Sequence, residues 1–403
     1  MGVGGGRGGG GPGDGGVTVG RAIQIAVFSA LLLTPGFAVA ATIVEPRLQV
    51  GIEGRYDDDA LLRNNDADAP VTGELLSKLT AQGGVRAENR NFTLEGWYAP
   101  DLQLRYFSQT ARVDHRAGFD LRTELSPRTV ATVELRGWRV SDPTSLPRTG
   151  MGRSLSPVLY GTGEVGVGTR LTRTLDGRVA YRFEGTQMLE TDTPPGAVHA
   201  PSAELMARVN ARLSLGAEYR FQYFLYGPER AMAHAPVAAL RYRTGTQTTL
   251  NVRAGPVFYV ESRGVGDGVS PRIHAQLTRA FEGFELSAQA GQDLVGATGF
   301  TSAVWAQYAG LYTGVRLSRR VNVFGGAYGF RNGAAPGNAQ TWLSTSSAAG
   351  MAGYAVGGGV EWSLTRHLSM QGQVDRIAQV GTYGPDVDLS RNVVAIRLMA
   401  RTW

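Results

Sequence analysis

Cysteine is absent from the 403 residues, so neither a disulfide framework nor a thiolate metal site is available. Lysine is nearly absent as well: Lys78 is the only one, and the formal charge of +6 rests on arginine. The arginines are spread along the chain among acidic residues rather than blocked, which argues against nucleic acid as a partner. Histidine is scarce, and His115, His199, His234, His274 and His367 never fall in H-x-x-x-H or H-E-x-x-H spacing. No G-x-S-x-G nucleophile signature accompanies them. These absences predict no cofactor, no metal centre and no enzymatic activity. Past residue 40 no run of 18 apolar residues occurs, which excludes a spanning helix from the remainder. A chain without such a helix enters a membrane only as a closed barrel, where every backbone N–H and C=O finds a partner on a neighbouring strand.

What is there begins with glycine. Residues 1–20 form a glycine-rich leader with no side chains from which to build a core, and a mis-assigned start and a real extension fit it equally. Residues 21–40 read as a signal peptide: Arg21, an apolar run from Ala22 to Leu33, the breaker Pro35-Gly36, and the small-residue site Ala38-Val39-Ala40. Cleavage after Ala40 leaves 41–403 as the mature domain, with outer-membrane location expected.

From Arg47 onward polar and apolar residues alternate, the period that sends successive side chains to opposite faces of a strand. Ala117, Phe119, Leu121 and Leu125 oppose Arg116, Asp120, Arg122 and Glu124; Phe284, Leu286, Ala288 and Ala290 oppose Glu285, Ser287 and Gln289. Tight turns are expected near Asn89, Ser126, Asp176-Gly177, Gly216, Gly245, Glu282-Gly283, Ser318 and Arg366, with longer polar loops between them. Short turns alternating with long loops are the asymmetry of outer-membrane barrels. The expected fold is therefore all-β, a transmembrane antiparallel barrel of about eighteen strands with both termini periplasmic, sixteen being the alternative. Phe92, Tyr98, Tyr106, Tyr181, Tyr219, Phe221 and Tyr223 take the outward parity of an aromatic girdle in outer-membrane lipid. Glycines within strands, such as Gly166, Gly168, Gly357 and Gly359, suit a curved wall.

Turning the polar parity inward places Arg105, Arg122, Arg136, Arg182, Arg208, Arg212, Arg220, Arg241, Arg243, Arg253 and Arg272 in the lumen, with Glu204, Glu218 and other glutamates on the same faces. Cross-strand ion pairs that stabilise the wall are one reading. A basic surplus recognising anionic or hydroxyl-rich solutes is the other. Inward aromatics at Trp97, Trp138, Phe224, Tyr308, Tyr312, Phe324 and Tyr328 either stack on sugar rings or pack an inserted loop, of which 331–350 is one candidate. The run Tyr56-Asp57-Asp58-Asp59 reads as a solvated acidic loop, with a calcium ion held by its carboxylate oxygens as the lesser alternative. Trp403 ends the chain in an aromatic, as barrels read by the assembly machinery do, but on the parity of Arg397 and Arg401.

With its signal peptide, the opening strand RLQVGIEGRYDDDALLRNND (47–66) and the strand-turn-strand LRTELSPRTVATVELRG (121–137), the chain resembles the outer-membrane barrels of exopolysaccharide secretion loci. Among them it looks most like the myxobacterial Wzp-type porins, similar in architecture to the C-terminal barrel of the cellulose and poly-N-acetylglucosamine (PgaA) exporters. The resemblance implies a channel for a polysaccharide, working with a periplasmic polysaccharide-export protein. A general or substrate-specific diffusion porin for small hydrophilic solutes is the alternative.

Overall fold

A computed structural model describes residues 42–58, 73–141, 157–190, 194–227, 229–245, 247–261, 268–296, 303–334, 351–381 and 389–402. The segments expected as leader and signal peptide (residues 1–40), most of loop 331–350, Asp59 and Trp403 lie outside them. The chain divides into Met1–Thr42 and Ile43–Trp403, and the second unit holds every described strand.

Eighteen antiparallel strands follow in chain order: β1 (Ile43–Asp57), β2 (Glu74–Glu88), β3 (Phe92–Arg105), β4 (Thr110–Ser126), β5 (Thr129–Val140), β6 (Val158–Arg170), β7 (Leu175–Met188), β8 (Gly196–Arg208), β9 (Leu213–Tyr226), β10 (Glu229–Thr244), β11 (Thr248–Glu261), β12 (Gly268–Phe281), β13 (Phe284–Gly296), β14 (Ala303–Arg316), β15 (Val321–Ala334), β16 (Met351–Ser363), β17 (Leu368–Gly381) and β18 (Leu389–Arg401). Each pairs with its sequence neighbours, and β18 pairs back onto β1 from Gln49↔Arg401 to Asp57↔Val393, so the sheet closes and no edge strand remains. Followed once around the wall, the registers return to β1 about 22 residues from their start, which for eighteen strands corresponds to a tilt of about 40° and a backbone diameter of about 35 Å.

The expected alternation of turns and loops holds, and the chemistry of the turns explains why the chain reverses where it does. Six of the eight turns are closed by a side-chain oxygen that accepts backbone N–H groups two or three residues on: Asn89, Ser126, Thr172, Asn210, Ser318 and Thr365. The other two carry glycine at positive φ, Gly245 at 70° and Gly283 at 76°. Two expected turns are misplaced. Thr172 reverses the chain before Asp176-Gly177, and Asn210 reverses it before Gly216, so β8 ends at Arg208 and not beyond it. Hydrophobic alternation ran straight through residues 209–213 and concealed that turn. Gly216 instead sits in β9, so near the Leu205 carbonyl and Met206 that a Cβ would collide with both.

The outward parity carries the large exposed apolar side chains, among them Leu48, Val50, Ile52, Leu79, Val179, Leu205, Val356, Val374, Ile396 and Leu398. Exposure of that many aliphatic groups on one face of a closed sheet is tolerable only against hydrocarbon. The aromatics assigned outward lie on this face. Three of them hold histidines there: the Tyr98, Tyr181 and Tyr219 hydroxyls pair with the Nδ1 atoms of His115, His199 and His234 at 2.6, 2.6 and 2.7 Å.

Candidate functional site

The site is the lumen, and parity places almost every expected residue on it. The ladders align Arg105, Trp97, Arg122, Arg136, Trp138, Arg182, Arg208, Arg220, Arg241, Arg243, Arg253, Arg272, Tyr308 and Tyr312 on the inner face. Arg212 is the exception, because it stands in the β8–β9 turn that Asn210 creates. Arg122, Arg182, Arg208 and Arg243 are exposed to the lumen or its turn-end mouth. Arg136 Nη2 donates to both carboxylate oxygens of Asp120 at 2.8 and 2.9 Å, and Arg241 donates to Asn251 at 3.2 Å.

The inward aromatics share one arrangement. Trp97 faces Gly118 across β3–β4, Tyr308 faces Gly291, Tyr328 faces Gly310 and Phe324 faces Gly359. A Cβ on any of these glycines would meet the opposing ring at 2.5–2.9 Å. Each ring therefore lies over bare backbone, which shields a glycine that packs nothing by itself. Gly359, assigned to curvature, thus also seats a ring. Tyr308 and Tyr328 stack with centroids 6.4 Å apart, and Tyr312, Phe324 and Tyr328 line a lumenal hollow of 480 Å³ with Gln289, Gln373 and Asp375. Trp138 packs instead on Tyr160 with centroids 5.3 Å apart.

Two dense charge clusters lie on the inner wall. In the first, Arg220, Arg253 and Arg272 meet Glu204, Glu218 and Asp293. Arg253 Nε lies 2.8 Å from Glu218, Arg272 Nε 3.1 Å from Asp293, Arg220 3.1 Å from Glu218, and Arg253 3.3 Å from Glu204. Three cations and three carboxylates balance. His274 accompanies this cluster, its Nδ1 2.8 Å from the Tyr308 hydroxyl, as a partnered polar side chain. The second cluster spans β18, β1, β2, β3 and β4. Arg391 grips Asp57 through Nε at 2.9 Å and Nη2 at 2.5 Å, with both side chains almost fully buried. Asp57 is therefore a wall residue and not part of a solvated loop. Asp101 receives Lys78 at 3.0 Å, Arg116 at 2.8 Å and the Thr80 hydroxyl at 2.7 Å. Asp114 receives Gln103 and Ser141, and Arg397 pairs with Glu53. Sequence reasoning missed Asp57, Asp101 and Arg391. The signal was present, since all three sit on the polar parity. Among the described residues no group of His, Asp and Glu has the arrangement of a metal site.

The first cluster anchors a constriction. The β12–β13 ladder stops at Ile273↔Gln292, although β12 continues to Gly268 and β13 to Gly296. Pro271, two residues past the last pair, has no N–H for a ladder, and its carbonyl takes the Gln292 side-chain amide at 3.0 Å instead. Freed from β12, β13 carries β14 with it, the two remaining paired to Gly296↔Ala303. Asp293 then meets Arg220 and Arg272, the Leu294 carbonyl accepts from Gln222 at 3.2 Å, and Gly296 touches Val198 and Tyr226. Leu294, Ala303 and Trp305 are buried among Phe224, Ala233, Ala235, Val257 and Tyr259, all from the inner faces of β9–β11. Contacts between β13 and β8, five strands away, run only through the interior, so the hairpin end is folded into the lumen. An inserted loop was one of the two readings of the inward aromatics, and its candidate, 331–350, lies mostly outside the described residues. Among the described residues the inserted element is the β13–β14 end, and Phe224 packs it.

No protein-family model matches the sequence, and no curated protein matches it. Among solved structures, the chain is similar to the outer membrane protein opdK of Pseudomonas aeruginosa (TM-score 0.44, 9% identity, 89% of this chain and 99% of that one). It is similar also to a BenF-like porin from Pseudomonas fluorescens (0.47, 8%, 91% and 100%) and to the outer membrane protein OmpT of Vibrio cholerae (0.40, 10%, 91% and 99%). Scores this low carry no argument about function, and the membrane barrel rests on its own closed ladder of eighteen strands and its apolar outer face.

Proposed function

We propose that the protein is an outer-membrane diffusion channel for small hydrophilic solutes, exported by the segment 21–40 and inserted by the barrel assembly machinery. The observation that carries this reading is the polar lumen narrowed by the seated β13–β14 end. Small solutes pass beside such a constriction along arginines and carboxylates that replace their hydration, whereas a polymer would have to displace a hairpin held by buried apolar and ionic contacts. Purified full-length protein in planar bilayers should give stepwise conductance, and proteoliposomes should admit monosaccharides while refusing large oligosaccharides. Absence of conductance with a correctly folded barrel sinks the channel.

The export of a polysaccharide with a periplasmic export partner is the second reading, favoured by the ring faces of Trp97, Tyr308, Tyr312, Phe324 and Tyr328 along the wall. It requires that deletion of the gene abolish surface polysaccharide, and that oligosaccharides block the channel from the turn end. Unchanged surface polysaccharide removes it.

A further inference from the structure

The second cluster leaves one cation unpaired. A pocket of 170 Å³ opens among Arg55, Lys78, Arg105, Arg116 and Arg391 and the carboxylates of Glu53, Asp57, Asp101 and Asp114, five cations against four anions. Every carboxylate is already engaged: Asp57 by Arg391 and Arg55, Asp101 by Lys78 and Arg116, Asp114 by Gln103 and Ser141, and Glu53 by Arg397 from outside the pocket. Arg105 is only 8% exposed, its Nε has no hydrogen-bond partner, and none of the described carboxylates lies within ion-pairing distance of it. The register explains why. Its cross-strand neighbours on the inner face are Leu76 on β2 and Thr110 on β4, neither of which carries a charge. A buried guanidinium without an acceptor is expensive to keep, and its planar fork fits a carboxylate in two parallel hydrogen bonds. The same pocket has an apolar flank in Leu76, Trp138 and Val140.

We infer that this pocket binds the carboxylate head of a small monoanionic solute on Arg105, with the solute's short apolar substituent against Leu76, Trp138 and Val140. One unpaired guanidinium calls for one carboxylate. A phosphate dianion would set its second charge beside four carboxylates. This inference deepens the channel reading and rests on it for the direction of travel, though binding itself does not require transport.

The test is calorimetric titration of the full-length protein in detergent with sodium butyrate and, separately, inorganic phosphate, for the unaltered chain, for Arg105→Gln, and for Arg319→Gln in the exposed β14–β15 turn. Butyrate should bind at one site, at least about tenfold more weakly in Arg105→Gln and unchanged in Arg319→Gln. Heat-modifiable migration on gels reports that each variant is folded, and Arg105→Lys keeps the test alive where Arg105→Gln does not fold, since the point charge without the fork should also weaken butyrate. No butyrate binding, equal binding by Arg105→Gln and the unaltered chain, or binding of phosphate alone would each overturn the site. Parallel bilayer recordings separate the two ideas: a protein that binds butyrate but does not conduct loses the channel and keeps the pocket.

Discussion

The two charge clusters of the lumen differ in one unpaired guanidinium, and that difference separates a rivet from a receptor. Around Glu218 three arginines meet three carboxylates, and the ensemble holds the folded-in end of β13 through Asp293. Around Asp57 and Asp101 the pairing is as dense, yet Arg105 is left without a partner beside a pocket. Satisfied buried charges fix geometry and offer nothing to a passing solute. A buried charge left over pulls an outside group toward it. The two clusters should accordingly respond with opposite signs when a charge is removed.

The largest effect belongs to the balanced cluster. Glu218→Gln takes away the carboxylate that serves Arg220, Arg253 and Arg272 at once, leaving three guanidiniums to share Glu204 and Asp293. Thermal unfolding in detergent should register a loss of about 3–5 kcal/mol, and channel conductance should rise as the hairpin end loosens. A barrel as stable as the parent would remove the distinction between the clusters. Leu294→Ala comes next. Its side chain is fully buried against the inner faces of β9–β11, and truncation should cost about 2–4 kcal/mol. It should also open the channel without altering any charge, which tells a mechanical seat apart from an electrostatic one.

Arg105→Met carries the opposite sign. Removal of an unpaired buried guanidinium in favour of an apolar chain of similar length should raise stability by roughly 1–2 kcal/mol, read as an increased midpoint in the absence of anions. Butyrate should then stabilise the parent and not the variant, because only a ligand that binds the folded state shifts the midpoint. A destabilised Arg105→Met would mean that the guanidinium is satisfied, and the two clusters would be alike.

Much of this wall was legible from residue types. A period of two with outward Val, Leu and Ile gave eighteen strands, and polar parity correctly turned Arg105, Arg220, Arg253 and Arg272 inward. The turn at Asn210 was not legible, since apolar alternation across Val209, Ala211 and Leu213 imitates a strand and only the Asn210 side chain says otherwise. Nor was the constriction. It depends on β12 failing to hold β13 beyond Gln292, and Pro271 acquires that meaning only once the register sets it at the point of separation. The isolation of Arg105 is likewise a property of register, because Leu76 and Thr110 become its neighbours only when β2, β3 and β4 are aligned.

The smallest effect supplies the scale on which the others are read. On the hydrocarbon side the Tyr98, Tyr181 and Tyr219 hydroxyls each hold a histidine Nδ1 from the next strand, three repeats of one tyrosine–histidine contact. Tyr219→Phe deletes one hydroxyl and keeps the ring, so it should cost about 0.5–1.5 kcal/mol with conductance and butyrate binding untouched. These pairs on the outer face have neither a lumenal ligand nor a constriction to serve. Should Tyr219→Phe change conductance as much as Glu218→Gln does, the coupling of charge balance to the seated hairpin would give way to a general softening of the wall.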